Sequence, residues 1–195
     1  MLKNLFSIPI FQTTIDKTIA LDKEIKNTID IFTNQQLENP WCGNIKSTFS
    51  WHNKNNLIES YLPELSKILY KNINLYLNLL EIDTMYLFTD IIESWMNFSY
   101  KDMYQEFHMH PDSDLSGVLY CKVPTNSGDI TFVSPSPCQQ YHRLSSKAKK
   151  LMPSTTLQTF ENLLLIFPSY LEHMVMPNKN DDVRISIAFN VKLIE

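Results

Sequence analysis

Arginine, glycine and cysteine are all scarce in this chain, and each scarcity bounds what it can do. Arg143 and Arg184 are its two arginines, against many lysines, and the formal net charge is −4. A slightly acidic balance, with a pI near 5.7, argues against a nucleic-acid-binding surface as the main business of the chain. Three cysteines, Cys42, Cys121 and Cys138, are odd in number and share no close spacing, which suggests reduced thiols in a cytoplasmic setting rather than a disulfide framework. No run of apolar residues is long enough for a membrane span, and Met1–Phe6 lacks a long apolar stretch of the secretory kind. A soluble intracellular protein without membrane or nucleic-acid partners is therefore expected. Of the three glycines, Gly117 and Gly128 fall within one later stretch of interest. What remains is ordinary globular composition, 44% apolar and 19% charged over 195 residues, enough for a sizeable core.

Apolar spacing divides the chain into two kinds of pattern. Leu5 to Ile15 reads as a strand, with Pro9 favouring an edge. Asp16 to Phe32 carries Ile19, Leu21, Ile25, Ile29 and Ile31 at helical spacing. Asn39–Asn44 breaks the pattern, and Ser47–Trp51 reads as a short extended segment. Tyr61 to Glu81 is the strongest helix, with Pro63 in its first turn and a stripe through Leu65, Ile68, Leu69, Ile73, Leu75, Tyr76, Leu79 and Leu80. After Asp83 the spacing changes to strands: Thr89–Phe98, Leu115–Val123, Asp129–Val133, Glu161–Phe167 and Val183–Leu193. Ser134 to Thr159 reads as a long loop of the kind that serves as a lid. Its Lys147, Lys149 and Lys150 read as a solvated face. The expectation is one domain over residues 1–195, a β-barrel or sandwich from 84 to 195 backed by the strand and helices of 1–83.

Chemistry concentrates at His108-Met109-His110-Pro111-Asp112. Two histidines two residues apart share a face if they lie on a strand, and two imidazoles near a carboxylate suit a first-row metal. A third histidine, His173, precedes another strand-like run. The last strand alternates Arg184, Ser186, Ala188 and Asn190 with Ile185, Ile187 and Phe189, so one face is polar. Arg184 follows His173 by eleven residues, enough for a turn and a return strand. A metal-binding histidine and a carboxylate-gripping arginine could then share one cavity.

These segments together resemble the Fe(II)/2-oxoglutarate-dependent oxygenases, within a group of small members from bacteria and phages. The resemblance rests on His108-x-His110-Pro111, Leu115–Tyr120, Gly128–Phe132, Leu165–Ser169 followed by His173, and Arg184–Asn190. Leu5–Phe11 and Ser94–Asn97 add to it. It implies a mainly β fold with flanking helices around a double-stranded β-helix, the jelly-roll or cupin-like core. It also implies Fe(II) and 2-oxoglutarate as cofactors and O2 as a reactant. His173 resembles the distal histidine ligand, and Arg184 with Ser186 resembles the pair that holds the far carboxylate of 2-oxoglutarate. Asn97, eleven residues before His108, resembles a co-substrate-binding asparagine. His110 stands where the family more often has aspartate. Either His108, His110 and His173 form a three-histidine site, or Asp112 supplies a carboxylate.

The activity implied is hydroxylation of a small molecule or peptide with release of succinate and CO2. A non-catalytic metal- or ligand-binding jelly-roll module is the alternative, and a zinc hydrolase a third reading. Trp95, Tyr104 and Tyr120 are candidate cavity walls, and a homodimer is compatible with the chain.

Overall fold

Strands whose two faces are both buried can still separate an apolar side from a polar one, and that separation organises this molecule. The computed structural model describes residues 7–38, 43–49, 56–136, 143, 147 and 152–194. Among these, ten strands and three helices follow in the order β1 (Phe11–Thr14), α1 (Ile19–Thr33), β2 (Lys46–Ser47), α2 (Leu57–Tyr61), α3 (Pro63–Leu79), β3 (Phe88–Ser99), β4 (Gln105–His108), β5 (Leu115–Lys122), β6 (Ile130–Val133), β7 (Ser154–Leu157), β8 (Leu163–Pro168), β9 (His173–Val175) and β10 (Arg184–Ile194). The strands pair antiparallel into a six-stranded sheet, β1-β8-β5-β10-β3-β2, and a four-stranded sheet, β4-β9-β6-β7. Two such sheets face to face make a jelly roll, the double-stranded β-helix. No helix of the described residues is long and apolar enough to cross a membrane.

The helices form because their apolar residues recur at three- and four-residue intervals. On α1 that spacing buries Leu21, Ile25, Thr28 and Phe32, while the Thr18 side chain accepts from the Leu21 amide at its start. On α3 it buries Leu65, Leu69, Ile73, Tyr76 and Leu77 behind a first-turn proline. The Glu24 carboxylate of α1 accepts from the Glu64 amide at 3.0 Å, satisfying a free N–H at the positive end of α3. Both helices cover one face of the large sheet, and their side chains join Met96, Phe98, Leu119, Ile166, Ile185, Ile187 and Phe189 in one core. The opposite face meets the small sheet through a second core containing Tyr120, Ile130, Phe132, Leu163, Leu165 and Phe167.

Strand β10 lies between β3 and β5. Ile185, Ile187, Phe189 and Val191 face the helices, whereas Arg184, Ser186 and Ala188 line the space between the sheets. The Phe189 ring fits because its partner on β5 is Gly117. A Cβ on Gly117 would fall within that ring, and Phe189 is fully buried. Gly117→Ala should therefore destabilise the protein by about 1–3 kcal/mol, as overpacking of a filled core does. A urea midpoint unchanged from wild type would contradict this fit.

Several expectations change in detail. The long helix begins at Pro63, with the short α2 preceding it as a separate element. Ile19, Ile31, Leu75 and Leu79 are exposed rather than core-facing, so the buried stripes are narrower than the apolar spacing. The five strands expected after Asp83 become eight among the described residues, β3 to β10, because β4, β7 and β9 are too short to show alternation. The segment 134–159 is not loop throughout: Ser154–Leu157 pairs with β6. Lys147 is exposed as expected. Residues 137–142, 144–146 and 148–151, with Lys149 and Lys150, lie outside the described residues. So do Leu5, Phe6, Cys42, Trp51 and Cys138.

Candidate metal centre and anion cavity

Three histidines from two distant stretches of the chain converge between the sheets. One ring nitrogen from each of His108, His110 and His173 lies within 4.8 Å of the others, a donor set that could hold a metal ion. His108 ends β4 and lies directly opposite His173 on β9. The register between these strands shifts between Gln105 and His108, so β4 carries an extra residue there. That bulge lets Gln105 and His108, three apart, both line the cavity while Glu106 and Phe107 stay exposed. His110 lies beyond the end of β4, in the turn that follows. Strand alternation from His108 therefore does not place it, contrary to the reasoning from spacing alone. Asp112 is exposed on that turn and is not part of the cluster.

Two of the rings are held in a defined tautomer. His108 Nδ1 lies 2.7 Å from the Glu106 carbonyl oxygen, and His173 Nδ1 lies 2.9 Å from that of Leu171. A carbonyl can only accept, so each Nδ1 carries the proton and each Nε2 keeps its lone pair. Phe167 and Phe132 pack against His173, with centroids 4.9 and 5.8 Å away. Trp95 packs against His110. Burial pushes all three imidazoles toward the neutral form: His110 is lowered to about 4, with His108 adding repulsion. His108 and His173 are lowered for the same first reason.

That shift has a consequence for the metal-free protein. Folded-state values below the ordinary 6.5 mean that the unfolded chain takes up protons first as pH falls. Stability is then intact above about pH 6.5 and is lost as pH drops toward 4. The urea midpoint of the metal-free protein should fall between neutral pH and about pH 5. A flat profile over that window would show that the rings are not buried as neutral bases.

The same cavity ends on Arg184, which is 3% exposed. Its Nη1 donates to the carbonyls of Ser127 and Gly128 at 2.7 and 2.9 Å, and its Nη2 donates to Ser99 Oγ at 2.9 Å. These bonds brace the guanidinium and leave Nε and one Nη2 proton for another acceptor. Among the described residues no carboxylate pairs with it; Lys101 takes Asp181 instead. Burial lowers the Arg184 pKa, opposed by Tyr120 and Asp129. Gly128, at φ +91°, makes the close approach possible, since a Cβ there would collide with the Met176 carbonyl.

One row of cross-strand neighbours, Asn97 on β3, Ser186 on β10 and Tyr120 on β5, lies one step along from Arg184. Asn97 Oδ1 and Tyr120 Oη are buried without a hydrogen-bond partner among the described residues. A buried cation lacking a counter-ion, beside two unsatisfied polar atoms, is costly unless a ligand completes it. Three neutral imidazoles at one end and this group at the other suit a divalent metal and a small dicarboxylate. Spacing pointed to the histidines, Arg184 and Ser186, and the family resemblance to Asn97; all of them line this cavity. Neither revealed Ser99, Gln105 or the Ser127–Gly128 carbonyls, which carry no signal apart from the turn chemistry of Asn126–Gly128. Tyr104, a third candidate wall, is not among the residues lining the cavity, whereas Trp95 and Tyr120 are.

A jelly roll enclosing three histidines that could hold a metal ion is an arrangement suited to a non-haem metal protein. Residues 93–190, half of the chain, match the family model described as "Putative 2OG-Fe(II) oxygenase". The chain belongs to this 2-oxoglutarate–Fe(II) oxygenase family, and Fe(II) and 2-oxoglutarate are the cofactors that membership carries. Its fold is similar to that of a Pseudomonas putida prolyl-4-hydroxylase, at 13% identity over 95% of this chain and 94% of that one, with a TM-score of 0.58. It is also similar to a viral collagen prolyl hydroxylase from Paramecium bursaria Chlorella virus-1, at 12% identity over 93% and 94% of the two chains and a TM-score of 0.53. The epimerase SnoN from nogalamycin biosynthesis shares 13% identity over 95% of this chain and 76% of its own, with a TM-score of 0.65. No curated protein sequence matches the chain.

Proposed function

We propose that the protein is a hydroxylase that oxidises a small-molecule or peptide substrate at a three-histidine iron site. The single observation that carries this reading is one cavity with His108, His110 and His173 at one end and Arg184 at the other. In this reading His108 and His173 bind through Nε2, since their Nδ1 atoms are tied to backbone carbonyls. His110 takes the position where related oxygenases more often carry aspartate. Arg184 would hold the distal carboxylate of 2-oxoglutarate, with Ser186, Asn97 and Tyr120 offering polar atoms in the next row of the sheet. Buried apolar side chains such as Phe167 and Ile130 exclude water around them. When bound, Fe(II) and 2-oxoglutarate supply the oxidative decarboxylation that consumes O2 and yields succinate and CO2.

Hydroxylation rather than another oxidative outcome draws support from the two prolyl hydroxylases of similar fold and extent. A reducing, cytoplasmic location is part of the same reading and is supported by the free, buried Cys121 thiol. The departure at His110 favours, as second reading, a module that binds metal and ligand without turnover. A zinc hydrolase has no need for a buried Arg184 that meets no carboxylate among the described residues.

The test is to supply the iron-loaded protein with 2-oxoglutarate, isotopically labelled O2 and pools of amino acids, peptides and small metabolites. The pool that accelerates succinate release contains the substrate. A product carrying one labelled oxygen atom supports the proposal. A product without added oxygen overturns hydroxylation and leaves the oxygenase class intact.

A further inference from the structure

His108 and His173 are held by strand pairing, but His110 lies in a turn, where no ladder fixes its position. A buried chain of small polar side chains meets that turn instead. The His110 amide donates to the Ser169 carbonyl at 3.0 Å. Ser113 Oγ donates to the His110 carbonyl at 3.0 Å and also contacts Ser169 Oγ at 3.0 Å. Ser116 Oγ lies 3.0 Å from Ser169 Oγ and donates to Asn190 Oδ1 at 2.9 Å, and Asn190 Nδ2 donates to the Glu93 carboxylate at 3.0 Å. With the single protons of Ser113 and Ser116 given to the His110 carbonyl and to Asn190, the Ser169 hydroxyl donates its own to one of these two serines. Ser169, Ser116 and Asn190 are 1%, 2% and 3% exposed, so no water replaces a lost member without rearrangement.

We propose that Ser169 is a positioning residue for His110, acting with Ser113, Ser116 and Asn190 to hold that imidazole at the metal. The inference rests on the reading of His110 as a ligand. Its physical basis is that a ligand on a turn needs partners outside the ligand set to fix its distance and angle, whereas a ligand on a paired strand has the ladder. The chain is anchored on β5 and β10 through Ser116 and Asn190. It therefore transfers the rigidity of the large sheet to a residue that belongs to neither sheet. Ser169→Ala keeps the backbone carbonyl that accepts from His110 and removes the hydroxyl that joins the two halves of the chain.

The probe is Co(II), titrated into the metal-free protein and read by its ligand-field absorption. Ser169→Ala should weaken Co(II) binding by roughly 10- to 100-fold, the usual cost of losing an outer-shell partner, and should change the absorption of the saturated site. In a His110→Ala background the same change should have no further effect on Co(II) affinity. Ser94→Ala serves as the structural control: Ser94 is also buried, and its Oγ accepts from the Ile58 amide of α2, outside the chain. It should lower the urea midpoint and leave Co(II) affinity unchanged. Should Ser169→Ala fail to fold, the half-buried Ser113→Ala is read in its place, with the same expectation. If His110→Ala leaves Co(II) affinity at the wild-type value, the ligand reading itself fails. If His110→Ala weakens binding but the serine variant stays within about threefold of wild type, the ligand reading stands and the positioning role is overturned.

Discussion

Replacing His108, His110 or His173 singly by alanine is expected to abolish stoichiometric Fe(II) binding. The three ring nitrogens come within 4.8 Å of one another, and no carboxylate of the described residues joins them. Each variant would leave two imidazoles, so the loss should exceed the roughly 10- to 100-fold that an outer partner costs. Folding of the apo protein should survive, because removing a buried imidazole also removes a group that resists burial in its charged form. His173→Ala leaves the largest void, between Phe132 and Phe167, and should show the largest drop in urea midpoint. Asp112→Ala should retain iron, since that side chain is exposed on the turn beyond His110. Loss of iron in Asp112→Ala together with its retention in His108→Ala would shift the site by two residues and refute the three-histidine reading.

Arg184→Ala should cost almost as much, but for 2-oxoglutarate rather than iron. A charge-assisted contact in a desolvated cavity is worth roughly 2–5 kcal/mol, or about 30- to several thousand-fold in affinity. Iron binding should be unaffected, because Arg184 is not in the histidine cluster. The bracing bonds to Ser127, Gly128 and Ser99 refine this expectation. Removing the guanidinium strands two carbonyls, so the alanine variant should also lose stability, and affinity must be measured on protein shown to be folded. Arg184→Lys should recover part of the loss at most, since an ammonium cannot satisfy both carbonyls and still present a fork to a carboxylate. The decisive quantity is the 2-oxoglutarate dissociation constant of the iron-loaded, oxygen-free protein. A change below about threefold in folded Arg184→Ala would remove the anchor.

Much of this arrangement is visible in the residue order because β10 alternates cleanly. Ile185, Ile187 and Val191 join the core under the helices while Arg184 and Ser186 line the cavity, and an arginine on such a strand suggests an anion partner. Histidines two apart with a third before a strand likewise mark a cluster. The register of β4 is not visible, because the bulge at Glu106–Phe107 breaks alternation where it matters. Nor is the placement of His110, which depends on the contacts of Ser169 and Ser113 rather than on strand periodicity. Long-range pairing explains the other gaps. Strands of two to four residues, such as β2 and β9, have little pattern of their own and exist through their neighbours. Ser116 and Asn190 read as a small and a polar residue on two strands, and their bond to each other appears when β5 and β10 pair.

Iron and 2-oxoglutarate should occupy one cavity and react there with O2. The experiment is to titrate the metal-free protein with Fe(II) and then 2-oxoglutarate without oxygen, admit air and measure succinate. Binding of one equivalent of each, with 2-oxoglutarate held tightly only after iron is present, followed by succinate formation on exposure to air, is the expected result. Binding of iron with no affinity for 2-oxoglutarate, or binding of both with no succinate after air, would contradict it.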